Sequence, residues 1–307
     1  SGSERQGAFM QGQERERKEP SEFNVIVKAK DLVKHNLLSE QLKSKTYRLS
    51  PYNTFKVYEP KERVVMSNSY KDKVVQHALC DNVLQPRVAP SFIKDNYASQ
   101  VGKGTHFGLD RLEEFMRRFY RKHGVDGWVL KCDIRKYFYS IQHDTLKGLI
   151  RKYIDDPECL WLLDMIIDST EGNVGIPIGN QSSQIFALLY LSPLDHFIKE
   201  KLGVKFYGRY MDDFYLIHED REYLRHCWKE IEEHVNKIGL ALNEKTNIYP
   251  LKNGIDFFGL SHVHFGNGRG DPQGAPEIEE QRAPQVEENA GLVGGGTDHA
   301  GNGGTVI

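Results

Sequence analysis

Three acidic residues have neighbours that suit them to hold metal ions. Asp133 ends the apolar run WVLKCD, and Asp212-Asp213 lie between VKFYGRY and FYLIHED. Phosphoryl transfer involving a nucleotide uses two Mg²⁺ ions about 3.5 to 4 Å apart, one activating the attacking oxygen and one neutralising the triphosphate. Mg²⁺ prefers hard oxygen ligands, so such chemistry needs two or three carboxylates brought to one point. Adjacent carboxylates raise each other's pKa, a cost that makes sense where a divalent cation lies between them. An Asp-Asp pair is otherwise most often a solvated turn, and Asp155-Asp156 before Pro157 reads as one. Flanking strands separate the two cases.

WVLKCD is expected to be a buried strand, and two strands joined by a link as short as Met211-Asp212-Asp213 make a hairpin. Around them the apolar spacing predicts a helix over Asp31–Leu42, short strands at Thr54–Tyr58 and Arg63–Met66 around Glu59-Pro60, and a helix over Lys71–Leu84. Tyr97–Gly108 reads as a glycine-punctuated loop, followed by an amphipathic helix to about Lys122 that carries Arg111, Arg117, Arg118 and Arg121. Helical patterns return at 143–153 and 159–168, with a loop at Gly172–Gly179. A helix starts at Gln181, and Ser192-Pro193 reads as an N-cap with proline at the first helical position, opening a helix to Lys201. A helix over Arg221–Gly239 precedes the strand segments ALNEKTNIYPL and GIDFFGLSHVHF.

The whole chain of 307 residues has a formal net charge of -2, with 41 basic and 43 acidic side chains. Residues 266–307 hold seven acidic and two basic side chains, and the central stretch 21–265 is slightly basic. Such a balance neither demands nor excludes nucleic acid, because a phosphate-binding groove depends on where charges lie. Cys80, Cys132, Cys159 and Cys227 form no CxxC pair and have no histidines at zinc-ligand spacing, which fits a reducing compartment and no structural zinc. No stretch approaches the ~18 apolar residues of a membrane span, so the expectation is a soluble, cytoplasmic protein without membrane contact.

The segments VYEPKERVV with KDKVVQHALC, YASQVGKGTH, CDIRKYFYSI, GIPIGNQSSQIFALLYL, GRYMDD, LNEKT and DFFGL follow one another in the order found in reverse transcriptases. The chain most closely resembles those of diversity-generating retroelements, over roughly Asn53–Phe265. The resemblance implies an α+β fold: the fingers and palm of a right-hand polymerase, with an antiparallel palm sheet and helices behind it. Residues 1–20 are then a disordered tail, 21–125 the fingers, 126–265 the catalytic palm, and 266–307 a disordered glycine-rich, acidic tail where relatives carry a basic helical thumb. The thumb is expected to be missing, which would cost phosphate contacts and processivity.

The resemblance also implies roles. Asp133, Ile134, Asp212 and Asp213 become the metal set for two Mg²⁺ ions, with Mn²⁺ as the alternative. Lys245 becomes the acid that protonates pyrophosphate. Lys61 and Arg63 resemble the basic pair that holds the triphosphate, where arginine can bind phosphate bidentately. Phe138, five residues after the first aspartate, packs under the incoming sugar and excludes a 2′-hydroxyl. Ile178, Gly179 and Gln184 line the nascent base pair; many accurate relatives have glutamine where this chain has Ile178, and Ser183-Gln184 is typical of the diversity-generating type. Lys103, His106, Tyr210, Met211, Phe257, Phe258 and Gly259 are assigned to primer and template. Ordinary core packing is the competing reading for Phe138, Ile178 and the phenylalanines, and a solvated face for the charges. The expected activity is RNA-directed DNA synthesis giving error-prone cDNA of bacterial or phage origin, with template RNA, a DNA or RNA primer, dNTPs and a basic accessory protein as partners. The alternatives are a retron, intron or phage-defence reverse transcriptase and a non-catalytic RNA-binding scaffold.

Overall fold

In this computed structural model the described residues are 21–58, 63–257, 261–266 and 278–282. Residues 1–20, most of the tail after 266, and Lys61, Phe258 and Gly259 lie outside them.

The chain opens with α1 (Glu22–Val27), and two short helices, α2 (Lys30–Val33) and α3 (Asn36–Lys43), replace the single helix expected over Asp31–Leu42. Leu32 and Leu38 are both buried, yet in one unbroken helix six residues would set them about 120° apart around the axis. The break at Lys34-His35 turns both inward, and the His35 ring packs edge-on to Tyr70 with centroids 5.9 Å apart. Strands β1 (Asn53–Val57) and β2 (Arg63–Ser67) form an antiparallel ribbon. Its root is fixed by the fully buried Asp72 on α4 (Tyr70–Leu79), which accepts from the Tyr47 hydroxyl, the Ser69 hydroxyl and the Ser50 amide. A π turn at Cys80–Leu84 carries the chain into α5 (Gln85–Val88).

Helix α6 (Thr105–His123) starts earlier than expected, inside the segment read as loop. The chain then forms β3 (Trp128–Asp133), α7 (Tyr137–Ser140), α8 (His143–Ile150), α9 (Pro157–Ile167), α10 (Gln181–Tyr190) and α11 (Ser192–His196), the last continued by a π turn to Lys201. Asp156, read as part of a solvated turn, instead caps α9 by accepting from the Glu158 and Cys159 amides, and it also accepts from the Phe23 amide at 3.2 Å. The four cysteines are free and buried, and none of the described helices is long and apolar enough to cross a membrane.

The site rests on one antiparallel sheet in the order β4-β5-β3-β6, from β4 (Phe206–Tyr210), β5 (Asp213–His218), β3 and β6 (Asn247–Pro250), with α12 (Arg221–Lys237) packed behind it. Alternate residues divide its two faces. Leu130, Cys132, Phe214 and Leu216 join the larger core, whereas Val129, Tyr215 and Ile217 meet the apolar stripe of α6 at Leu112, Phe115 and Phe119. Continuing the alternation puts Lys131, Asp133 and Asp213 on the α6 side.

Residues 95–97 run alongside β4: the Arg209 amide donates to the Asp95 carbonyl and the Tyr97 amide to the Arg209 carbonyl, each at 2.9 Å. The Tyr97 and Tyr215 hydroxyls meet at 3.1 Å over Gly208, where a Cβ would collide with both. Gly208→Ala is therefore expected to cost about 1–3 kcal/mol through overpacking, read as a lower urea midpoint; an unchanged midpoint would refute the close approach.

A second sheet, β7-β8-β9, comprises β7 (Ile255–Phe257), β8 (Ser261–Phe265) and β9 (Ile278–Arg282). Strand β9 corrects the expectation of a wholly disordered segment from 266 to 307. It pairs from Ser261↔Arg282 to Phe265↔Ile278, and Ile278 packs against the α6-side core. Backbone pairing to β8, which composition does not register, orders a segment with little to bury.

Candidate active site

Strands β3 and β5 place Asp133 directly opposite Asp213. Tyr210 pairs with Asp213 across the β4–β5 hairpin, leaving Met211-Asp212 as its two-residue turn. Met211 adopts φ +58° although it is not glycine, a left-handed conformation that the tight hairpin turn demands and that stores strain. The Ile134 amide donates to the Asp212 carbonyl at 3.1 Å, so the end of β3 is tied to the turn. Ile134 itself is buried, and only its main-chain carbonyl could serve a metal.

The electrostatics follow from this crowding. Burial, then the Asp133 charge, raises the Asp212 carboxyl to about 6. Asp213 is raised to about 7, chiefly by burial; Lys131, which contacts it, opposes the rise, while Asp133 and Asp212 add to it. Hard oxygens gathered where their charges repel suit a divalent cation, which fits the donor set. Among the described residues no three His, Cys, Asp or Glu side chains close into a ready cage, and the Lys131 ammonium contacts Asp213.

A cleft of about 380 Å³ opens beside Asp133 and Asp213, with Lys131, Lys245, Tyr249 and Asp256 in its lining. Lys245 is exposed, and its amide donates to the Asn243 side chain at 3.1 Å, while the Asn243 amide donates to the Asp133 carbonyl at 2.7 Å. The lysine thus stands on a turn anchored to a site aspartate. Arg63 is exposed at the start of β2, near enough for its charge to pull Asp212 downward.

Phe138 on α7 is half-buried, packed edge-on to Tyr137 with centroids 5.8 Å apart. Its carbonyl accepts from the Ile176 amide at 2.9 Å, and the Ile141 carbonyl accepts from the Gly175 amide at 2.8 Å. The loop that carries Ile178 is thereby zipped to the turn that carries Phe138. Ile178 is not a core residue: it is half-exposed, and its carbonyl accepts from the Met66 amide on β2 at 2.8 Å. Gly179 has φ +112°, and a Cβ there would lie 2.9 Å from the Val65 side chain. The ribbon bearing Arg63 and the loop bearing Ile178 are one packed unit.

Gln184 on α10 accepts from the Ser99 hydroxyl at 3.2 Å, and Ser99 has φ +46°. Lys103 does not reach outward: it donates to the Ile93 and Asn96 carbonyls at 3.1 and 2.9 Å, so burial and these carbonyls hold it within the 93–103 turn. His106 is exposed on the first turn of α6. Tyr210 packs against both cores, and Phe257 contributes backbone pairing to β8.

Three residues are not marked out by the sequence. Arg209, one position before Tyr210, and Asp195 on α11 are both fully buried and joined at 2.6 Å. An arginine before a Tyr-x-Asp-Asp turn is a visible signal, but its partner fourteen residues earlier is not. Lys131 was equally unremarked; its place two residues before Asp133 puts it on the aspartates' face of the sheet.

Residues 56–262 match the reverse transcriptase (RNA-dependent DNA polymerase) family. The chain is similar to the group II intron-encoded protein LtrA of Lactococcus lactis, 25% identical over 226 residues, covering 69% of this chain and 36% of that protein. It is also similar to a 91 kDa protein in the cob intron of Schizosaccharomyces pombe, 28% identical over 170 residues, covering 52% of this chain and 20% of that protein. The chain thus spans little more than a third of the first relative and a fifth of the second. Among solved structures, the apo telomerase of Candida tropicalis truncated from its C-terminal domain aligns with TM-score 0.55 at 15% identity, over 81% of this chain and 60% of that one, a likeness of fold.

Proposed function

The chain belongs to the reverse transcriptase family, and from that premise we propose that it copies an RNA template into DNA at the site formed by Asp133, Asp212 and Asp213. The observation that carries this is the pairing of Asp133 with Asp213 across β3 and β5, with Asp212 on the adjoining turn. Two divalent cations held by these carboxylates and the Ile134 carbonyl, Mg²⁺ with Mn²⁺ as the alternative, would acidify the primer 3′-hydroxyl and neutralise triphosphate charge. Arg63 binds the triphosphate from the ribbon, and the Lys245 ammonium gives a proton to the departing pyrophosphate oxygen. Phe138 fills the space a ribose 2′-hydroxyl would need. Residues 21–125 act as fingers and 126–265 as palm, around template RNA, primer and dNTPs.

The finer reading is synthesis of error-prone cDNA for sequence diversification, served by a small basic accessory protein. Its support is Ile178, half-exposed beside β2, together with Ser183-Gln184. Base pairing alone separates right from wrong bases by a few kcal/mol, so accuracy depends on geometry made to matter in the transition state. Isoleucine adds bulk without a hydrogen bond to the sugar. A second reading, an intron-type reverse transcriptase, is favoured by the similarity to LtrA. Sequencing cDNA made from one defined RNA tests both. The first reading predicts errors concentrated at template adenines and a several-fold lower error rate for Ile178→Gln; a uniformly low parental rate selects the intron type, equal spectra remove Ile178 as the determinant, and absence of cDNA removes the polymerase reading.

A further inference from the structure

The guanidinium of Arg209 is enclosed completely. Its Nε and Nη2 donate to the two oxygens of Asp195 at 2.7 and 2.6 Å, and Nη2 also donates to the Leu188 carbonyl at 3.3 Å. The Tyr207 hydroxyl donates to Asp195 at 2.6 Å. The remaining amino group, Nη1, donates to the carbonyl of Met211 at 2.7 Å. That carbonyl belongs to the residue forced into the left-handed region at the tip of the hairpin, and the next carbonyl along, that of Asp212, accepts from the Ile134 amide. The peptide groups on both sides of Asp212 are therefore each held by a donor from inside the protein.

We propose that Arg209, braced by Asp195, is the positioning residue that fixes the strained Met211-Asp212 turn, and with it the aim of the two turn carboxylates. This rests on the polymerase reading above and extends it to residues that touch neither substrate nor cation. A buried ion pair contributes little more to stability than apolar residues of similar volume would, so stability alone does not account for charges placed here. Conformational specificity does: arginine's planar fork can grip a carboxylate and a carbonyl in fixed directions at once, which an ammonium cannot. The charge-assisted bond to Met211 replaces the glycine that such a turn would otherwise favour.

The test is the double variant Asp195→Asn/Arg209→Met, which removes both charges together, leaves the Tyr207 hydroxyl an acceptor and takes the guanidinium donor from the Met211 carbonyl and, at the longer distance of 3.3 Å, from that of Leu188. It is expected to fold with a parental unfolding midpoint. In RNA-templated extension kcat should fall on the order of 30-fold, with KM for dNTP changed by less than about threefold. The rise in Tm produced by Mg²⁺ in the parent should shrink. A folded double variant with parental kcat overturns the inference. Should that variant fail to fold, Arg209→Lys carries the same test, because it keeps the charge and cannot span both acceptors. If the parent extends no primer, the polymerase reading fails, and the Mg²⁺-induced Tm rise alone decides the role of Arg209: an equal rise in parent and variant overturns it.

Discussion

Asp212→Asn is expected to slow nucleotide incorporation by a factor on the order of 1,000 while making the metal-free protein more stable. The two effects have one cause. Burial and the neighbouring Asp133 raise Asp212 to about 6, so above that pH its charge is held at a cost that the unfolded chain does not bear. A carboxyl whose folded-state pKa is raised to about 6 destabilises in full at pH 8, and the cost fades as the pH falls from about 6 towards the unfolded value of about 4. Asparagine removes this cost and, with it, the negative oxygen a cation requires. The metal-free variant should melt above the parent at pH 8, and Mg²⁺ should raise the parent's Tm more than the variant's. Near-parental extension by Asp212→Asn, or a variant that melts earlier, would contradict the assignment; the second outcome would mean that lost activity reflects lost structure.

Phe138→Ala is expected to lower the preference for dNTPs over rNTPs on the order of 100-fold, with dNTP use reduced far less. The ring is half-buried and lies on the turn directly after Asp133. Because the Phe138 carbonyl is bonded to the Ile176 amide, the ring's position depends on the backbone and should survive neighbouring side-chain changes. Truncation at a half-exposed ring costs less packing than at a fully buried one. Competition between dTTP and UTP on poly-rA measures it, and an unchanged ratio would return Phe138 to a packing role.

The carboxylates were legible because two local patterns agree: an apolar alternation ending in Asp133, and a two-residue link between strands. Both are properties of short windows. The roles of Arg209 and Lys103 were not legible, since they depend on where a long side chain ends. Arg209 in GRYMDD could have been a surface charge; its burial follows from Asp195 arriving on α11 and from residues 95–97 covering β4. Lys103 in GKGTH looked available to phosphate, yet the carbonyls of the 93–96 turn take it. The single helix expected over 31–42 does not form, because one unbroken helix could not turn both Leu32 and Leu38 inward. Strand β9 was missed because its partner, β8, supplies the order that its own composition lacks.

Extension of oligo-dT on poly-rA with dTTP and Mg²⁺ tests the central claim most directly, run beside Asp213→Asn and a chelator control. The account predicts labelled product from the parent, none above background with the chelator, and a rate lower by orders of magnitude in the variant. Binding of template and primer without extension, or extension that survives Asp213→Asn, would contradict it.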